Sequence, residues 1–297
     1  MDYRKIIRNQ SLRFTILRAL SFVPDSIMLR LQYRIQLGRW PNFNHPKRYT
    51  EKMQLYKMKY RNPIMGKCVD KYEVRDYVKS HGLENILTKC FGVFERAEDI
   101  DFSILPEKFV IKTTDGGGGF NVLLCKDKNN LNITKTIVKV NSWLNFLNAN
   151  PGREWAYTLI KKSRIIVEEL LETDDPAGLI DYKFFCFNGQ CDYVYVVSNR
   201  DLGEGGCFEF YDREFKKIPV LRLGSKNVTS SIKKPKYFDT MLQYAEILSK
   251  DFPHVRVDMY NIDGRIVFGE LTFYHASGYQ KFEPDSFDLD LGKKFDI

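Results

Sequence analysis

The sequence predicts an α+β fold of two subdomains preceded by a basic, helical N-terminal segment. Three stretches carry this expectation. Residues 109–124, FVIKTTDGGGGFNVLL, read as two strands rich in β-branched and aromatic residues, joined over Gly116, Gly117, Gly118 and Gly119. Residues 163–171, SRIIVEELL, read as a buried strand that emerges into Glu168 and Glu169. Residues 254–273, HVRVDMYNIDGRIVFGELTF, read as a second hairpin. Helical patterns lie before and between these strands. The expected divisions are a basic segment at 1–62, a lead-in at 63–105, a first subdomain with the glycine flap at 106–170, and a second with the carboxylate-bearing hairpin at 171–297.

A chain of 297 residues can bury a full core, and 43% hydrophobic with 28% charged residues is the composition of a globular protein. No run of about 18 apolar residues occurs, so no transmembrane helix is expected. Arg18 interrupts FTILRALSFV and no small-residue cleavage site follows, so a signal peptide is not expected either. The six cysteines show no CxxC and no zinc spacing with the four histidines. Cys186 and Cys191 face each other across an Asn188-Gly189 turn and are read as reduced core thiols. A net charge of +8 favours an anionic partner without naming it. The basic residues are dispersed and not interleaved with aromatics on a sheet, which argues against a nucleic-acid binder.

Taken in order, Asp25 or Ser26 is expected to cap a helix in which Ile27, Leu31 and Ile35 recur, with Arg30 and Arg34 on a neighbouring face. With Arg4, Lys5, Arg8, Arg13 and Arg18, that face either meets an anionic membrane surface or a lipid-linked substrate, or is the solvated side of a packing helix. WPNFNHP at 40–46 breaks the pattern. A helix is expected over 65–80, one short strand within 81–105, an amphipathic helix over 133–149, a hairpin over 181–198, further strands over 205–223, a polar loop at 224–236, and a helix opened by Asp239 or Thr240 and running to about residue 250.

No side chain can pack over the four glycines, and each is costly to order. Such a loop is either a hairpin turn or a set of backbone N–H groups that close on phosphate. Lys112, just before the loop, favours phosphate. GxxxxGK[ST] is absent, so this is not a P-loop. In the last hairpin, Asn261, Ile262, Asp263 and Gly264 suit a type I turn with Gly264 left-handed, a three-residue loop. That register pairs Asp258 with Phe268 and sets Glu270 one diagonal step from Asp258. Val257, Met259, Val267, Leu271 and Phe273 then face the core, while Arg256, Asp258, Glu270 and Thr272 share the other face. Two carboxylates and a hydroxyl can share a hard cation, or form a salt-bridge ladder with Arg256.

The ordered set DKYEVRDYV (70–78), LPEKFVIKTTDGGGGFN (105–121), REWAY (153–157), RIIVEELLE (164–172), DYKFFCFNGQ (181–190) and FPHVRVDMYNIDGRIVFGELTFYHASGYQKFEP (252–284) resembles the ATP-grasp enzymes, and within them the TupA-like, teichuronopeptide-biosynthesis branch. The resemblance covers roughly residues 45–290 and implies two α+β subdomains gripping ATP between them. Carried onto this chain, it implies that Lys112 binds the α-phosphate side of ATP and that Gly116, Gly117, Gly118 and Gly119 close over the β- and γ-phosphates. The hinge reading adenine would include Glu168, Glu169 and Leu171. Asp258 and Glu270 would hold magnesium, and Arg256 would meet the γ-phosphate or acyl phosphate. Lys71, Lys183 and Arg200 would be further cations for phosphate or substrate, and His275, Ser277 and Gly278 a loop facing substrate. Two departures stand out. Glu270-Leu271-Thr272 replaces the Glu-x-Asn of many ATP-grasp proteins. Asp115 stands in the flap where His or Asn is expected.

The resemblance implies a cytoplasmic carboxylate–amine ligase using ATP and magnesium. Its partners would be a uronic acid of a capsular or O-antigen polysaccharide and an amino acid or amino alcohol, with peripheral contact at the inner membrane surface an open alternative. The rival is a glycosyltransferase of surface-polysaccharide biosynthesis. It would need a DxD-type motif, for which Asp174-Asp175 and Asp288-Leu289-Asp290 are candidates, although neither follows a convincing strand.

Overall fold

The computed structural model describes residues 15–17, 19–117, 121–144, 150, 152–199, 206–223 and 232–297. Two helices, α1 (Asp25–Leu37) and α2 (Tyr49–Lys59), precede a helical pair, α3 (Ile64–Cys68) and α4 (Val74–Ser80). The sequence pattern predicts one helix over 65–80. It breaks because the Asp70 carboxylate accepts from the backbone N–H groups of Tyr72 and Glu73, at 2.8 and 2.9 Å, and so starts a new turn. α1 is likewise not capped as expected. Pro24 is the N-cap, and the Asp25 carboxylate instead takes Arg153 at 2.7 Å.

The first sheet joins β1 (Cys90–Phe94), β2 (Phe109–Thr113), β3 (Val122–Cys125) and β4 (Ile165–Glu169) in the order β1-β4-β2-β3. The flap hairpin is present, Phe109 pairing with Cys125 and Lys112 with Val122. Behind it packs α5 (Ile133–Trp143), capped by Asn132, whose side-chain oxygen accepts from the Lys135 N–H. Phe109, Ile111, Ile165, Val167 and Val140 form that core. Residues 145–149 of the expected helix lie outside the described residues.

The second sheet has six strands in the order β11-β10-β5-β6-β7-β8. They are β5 (Asp181–Phe187), β6 (Gln190–Ser198), β7 (Cys207–Asp212), β8 (Lys217–Ile218), β10 (His254–Ile262) and β11 (Arg265–Thr272). A short pair, β9 (Leu221–Arg222) with β12 (Phe282–Glu283), lies apart from it. Asn188 and Gly189 are both left-handed, at φ 51° and 77°, as a two-residue hairpin turn requires. Cys186 pairs with Cys191 as expected, and both are buried free thiols. α6 (Phe238–Ser249) covers the apolar face, and α7 (Ser286–Lys294) closes the chain. Tyr49, Met53 and Tyr56 of α2 are buried in the same core as Phe184, Phe185, Val257 and Leu271. Of the polar loop expected at 224–236, residues 224–231 lie outside the described residues.

The final hairpin departs from its expected register. Ile262 pairs with Arg265, so the loop has two residues, Asp263 and Gly264, with φ of 50° and 97°. A bulge at Gly269 then shifts the ladder, so that Met259 faces Phe268 while Asp258 faces Glu270 directly. Phe268, not Val267, therefore shares the core face with Met259. A Cβ on Gly269 would stand 3.0 Å from the Asp258 carbonyl oxygen, so the close approach favours glycine.

Candidate active site

Three strands place the chemistry in rows. Lys183 on β5 pairs with Asp258 on β10, which pairs with Glu270 on β11; one step along, Arg256 pairs with Thr272. Directly paired residues share a face. The Asp258 carboxylate accepts Arg256 Nε at 2.7 Å on Oδ1, and Arg256 Nη2 and Lys183 Nζ at 2.7 and 2.5 Å on Oδ2. Lys183 also meets Asp181 at 2.5 Å. Arg256 bonds His275 Nδ1 and reaches Thr272 Oγ1 at 3.0 Å, and Glu270 Oε1 lies 3.6 Å from Nη2. Burial alone would raise the Asp258 pKa, but Arg256 and Lys183 reverse this and hold it below the usual carboxylate range. Burial also opposes the Arg256 charge, and Asp258, Glu270 and Asp181 outweigh it. Burial, reinforced by Arg256, keeps His275 neutral; since Nδ1 accepts from the guanidinium, Nε2 carries the proton.

Magnesium needs hard oxygen donors. Glu270 and Thr272 supply them, the Thr272 hydroxyl lying 3.2 Å from Glu270 Oε1. Asp258 is 1% exposed with both oxygens taken by cations, so it fits a metal only once Arg256 or Lys183 leaves it. Among the described residues no three His, Cys, Asp or Glu are grouped to hold a metal ion.

On the flap side, Lys71, Gly116, Gly269, Glu270 and Leu271 line one narrow crevice between the α3–α4 turn, the base of the flap and the final hairpin. The Lys71 N–H donates to the Thr114 carbonyl at 2.8 Å and its ammonium to the Gly116 carbonyl, which ties it to the flap. Burial lowers the Lys71 pKa, partly offset by Glu270. Gly118, Gly119 and Arg200 lie outside the described residues. Asp115 accepts from Ser163 Oγ at 2.6 Å, a contact that takes up the acid the flap was not expected to carry.

Lys112 meets Glu168 at 2.6 Å, and Glu168 also takes Arg75 at 3.1 Å and the Thr88 hydroxyl at 2.8 Å. Glu168 sits inside the ladder, paired to Val110 on one side and Cys90 on the other, so it holds the cations of this wall with its side chain. Glu169 forms a two-bond pair with Arg265, at 2.6 and 2.8 Å, linking β4 to β11. Leu171 lies just beyond the strand. Arg75, Thr88 and Asp181 were not among the residues the sequence singled out as site members. Arg75 stands one turn from Lys71, and Asp181 is two residues from Lys183 on the same strand; each spacing is a usable but weak signal.

The loop after the hairpin is strained. Ala276 and Ser277 have φ of 47° and 53°, and Gly278 is left-handed at 72°. It is held from α2, where buried Lys57 donates to the Ser277 carbonyl at 2.6 Å and its hydroxyl at 2.9 Å, and Gln54 donates to the Gly278 carbonyl at 3.1 Å. Burial pushes the Lys57 pKa down to about 8. His275 reaches the cation row, so this loop joins α2 to the site.

A family model described as TupA-like ATP-grasp matches residues 51–296. No curated protein matches the chain. Among solved structures, a D-alanine–D-alanine ligase from Bacillus anthracis is similar at 16% identity and a TM-score of 0.46, covering 77% of this chain and 67% of that one. The D-alanine–D-alanine ligase from Helicobacter pylori stands at 14% and 0.44, over 77% and 61%. The D-cycloserine synthetase DcsG stands at 16% and 0.44, over 78% and 70%.

Proposed function

Since the chain belongs to the TupA-like ATP-grasp family, we propose that it is an ATP-dependent carboxylate–amine ligase, forming an amide between a uronic acid of a capsular or O-antigen glycan and an amino acid or amino alcohol. The observation that carries this reading is that Lys71, Gly116 and Glu270, from three distant segments, meet in one narrow, water-sized crevice beside the Arg256–Lys183 row, where the Lys71 contact to Gly116 would give way to phosphate.

A carboxylate does not react with an amine at neutral pH, because oxide is a poor leaving group. Attack of its oxygen on the γ-phosphorus of ATP makes an acyl phosphate and releases ADP. The amine then attacks the acyl carbon and expels phosphate, losing a proton. Lys71 and Lys112 would offset the phosphate charge. An ammonium has three donors, so Lys112 can hold Glu168 and a phosphate together. Arg256 would meet the transferring group, and Lys183 would keep Asp258 ionised behind it. Magnesium, held by Glu270 and Thr272, would further neutralise the phosphates. The loop of His275, Ser277 and Gly278 would face the acceptor.

One carboxylate of each candidate DxD motif speaks against the glycosyltransferase reading. Asp288 is buried and bonded to the Thr50 N–H and hydroxyl at 2.9 and 2.8 Å, and Asp175 ends a turn at the Ala177 N–H. Supplying an 18O-carboxyl-labelled uronic acid with an amine is expected to yield ADP and labelled phosphate. AMP with pyrophosphate would indicate an adenylate and overturn the reading, and turnover of a sugar nucleotide without ATP would restore its rival.

A further inference from the structure

Helix α1 is apolar on two sides. Met28, Leu29, Tyr33 and Leu37 are buried, and sequence periodicity alone selects a different row, Ile27, Leu31 and Ile35, as the packing stripe. That row is exposed, at 51%, 44% and 45%, and its ends are flanked by Phe22 at 80% and Trp40 at 60%. Arg30 and Arg34, also exposed, form the adjacent row, since residues three and four apart are neighbours on a helix. The one acidic residue of the helix, Asp25, is turned to Arg153. The segment that carries this ridge is the basic part of the chain, although Arg39 and Arg48 within it are paired with Asp285 and Asp288 and Lys57 is buried. Residues 1–62 hold 14 of the 46 Lys and Arg but three of the 38 Asp and Glu, so they carry +11 and the other 235 residues −3.

We infer that this ridge docks on an anionic lipid surface, Ile27, Leu31, Ile35, Phe22 and Trp40 entering the headgroup boundary while Arg30 and Arg34 meet lipid phosphates. Charge selects this occupant over two others. A second copy related by a two-fold axis would bring the Arg30–Arg34 row against itself. Residues 1–14 carry Arg4, Lys5, Arg8 and Arg13 against Asp2, so packing them on the ridge would set like charges together. A bilayer of anionic lipid offers apolar depth and negative charge at once. The helix also touches the candidate acceptor loop, for the Tyr279 hydroxyl lies 2.8 Å from Gln32 Oε1, so docking would hold that loop beside the membrane. The proposal does not depend on the reaction that the site performs.

The test is cosedimentation of the full chain with vesicles. Binding is expected to an equimolar mixture of phosphatidylcholine and phosphatidylglycerol at low salt and not to phosphatidylcholine alone, and to weaken as salt screens the headgroups. Leu31→Gln with Ile35→Gln should lower the partition coefficient more than about tenfold, and Arg30→Gln and Arg34→Gln about fivefold each. The Leu31–Ile35 pair should keep the parent melting temperature because both side chains are exposed, and the arginine pair should lose little, since Arg30 gives up only its stacking on Phe43 and Arg34 its bond to the Gly38 carbonyl. Absence of binding to the anionic vesicles, or binding indifferent to all four substitutions, overturns the proposal. So does a dimer in sedimentation equilibrium that Leu31→Gln dissociates, which would make the occupant a second copy. Protection of Leu31 and Ile35 from hydroxyl radicals without vesicles would also overturn it, in favour of the chain's own first residues.

Discussion

At the scale of single residues, the two carboxylates expected to act alike stand in different electrostatic positions. Asp258 is the shared counter-ion of two buried cations, while Glu270 is half-buried at the crevice wall. Removing one partner of a buried ion pair costs about 3–5 kcal/mol, because the other charge is left uncompensated. Asp258→Asn is therefore expected to lower the unfolding free energy from urea titration by about 3–5 kcal/mol, and with it the urea midpoint, as well as to abolish ATP turnover. Glu270→Gln should abolish turnover with the midpoint nearly unchanged. Equal midpoints for the two variants would show that Asp258 does not hold Arg256 and Lys183. His254 gives a second expectation. Its Nδ1 lies 2.8 Å from the Cys186 carbonyl, so Nδ1 carries the proton, and Nε2 accepts from the Tyr49 hydroxyl at 2.9 Å. Burial pushes its pKa down to about 3, whereas the unfolded chain titrates near ~6.5. The unfolded state binds the proton first, so the stability due to this group is full above ~6.5 and is lost as pH falls towards 3. His254→Gln should lose less of its urea midpoint than the parent between neutral pH and pH ~4; a parallel loss would mean that His254 is solvated.

At the scale of elements, the flap hairpin and the hairpin over 181–198 were legible because strand pattern and turn chemistry are local, whereas the last hairpin was legible in its strands but not in its register. FVIK, NVLL (within one residue of the observed Val122–Cys125) and the Asn188-Gly189 turn need no knowledge of the rest of the chain. What was not legible is how elements distant in sequence meet. The Glu168 side chain gathers Lys112, Arg75 and Thr88 from three segments, and no spacing rule brings residue 75 to residue 168. The bulge at Gly269 was missed for a related reason, since a ladder shift follows from contacts on both edges of β10. That glycine also lines the crevice. A side chain there would press on the Asp258 carbonyl, a backbone atom in a strand paired on both sides, and would intrude on the proposed nucleotide space. Gly269→Val is expected to cost about 1–3 kcal/mol and to weaken binding of a non-hydrolysable ATP analogue in calorimetry. Unchanged affinity would remove this crevice from the nucleotide site.

At the scale of the whole molecule, the closing helix α7 is clasped to residues 39–50, and the clasp leads to the site. Asp288 on α7 takes the Thr50 N–H and hydroxyl of α2 and meets Arg39 and Arg48, while Asp285 meets the same two arginines. From α2, Gln54 and Lys57 then hold the loop of Ser277 and Gly278. The basic N-terminal segment was read from sequence as a division of its own. Its second helix instead contributes Tyr49, Met53 and Tyr56 to the larger core, because their partners on the six-stranded sheet lie more than a hundred residues away. The fit is tightest at Gly292, where a Cβ would collide with the Lys47 carbonyl oxygen and stand 2.8 Å from the Tyr49 nitrogen. Two effects of opposite sign act on Gly292→Ala. Replacing a helical glycine by alanine favours the helix by about 1 kcal/mol. Forcing a methyl against main-chain atoms that cannot rotate away costs about 1–3 kcal/mol or more, and the several contacts below 3 Å put this case at the upper end. The clash should win, so Gly292→Ala is expected to melt below the parent, whereas Lys293→Ala on the exposed side should not. The same displacement of α2 should loosen its hold on Ser277, seen as faster amide exchange at 275–279. An alanine variant as stable as the parent, with that loop unchanged, would mean that α7 and residues 47–49 do not pack as closely in solution and that the clasp does not support the site.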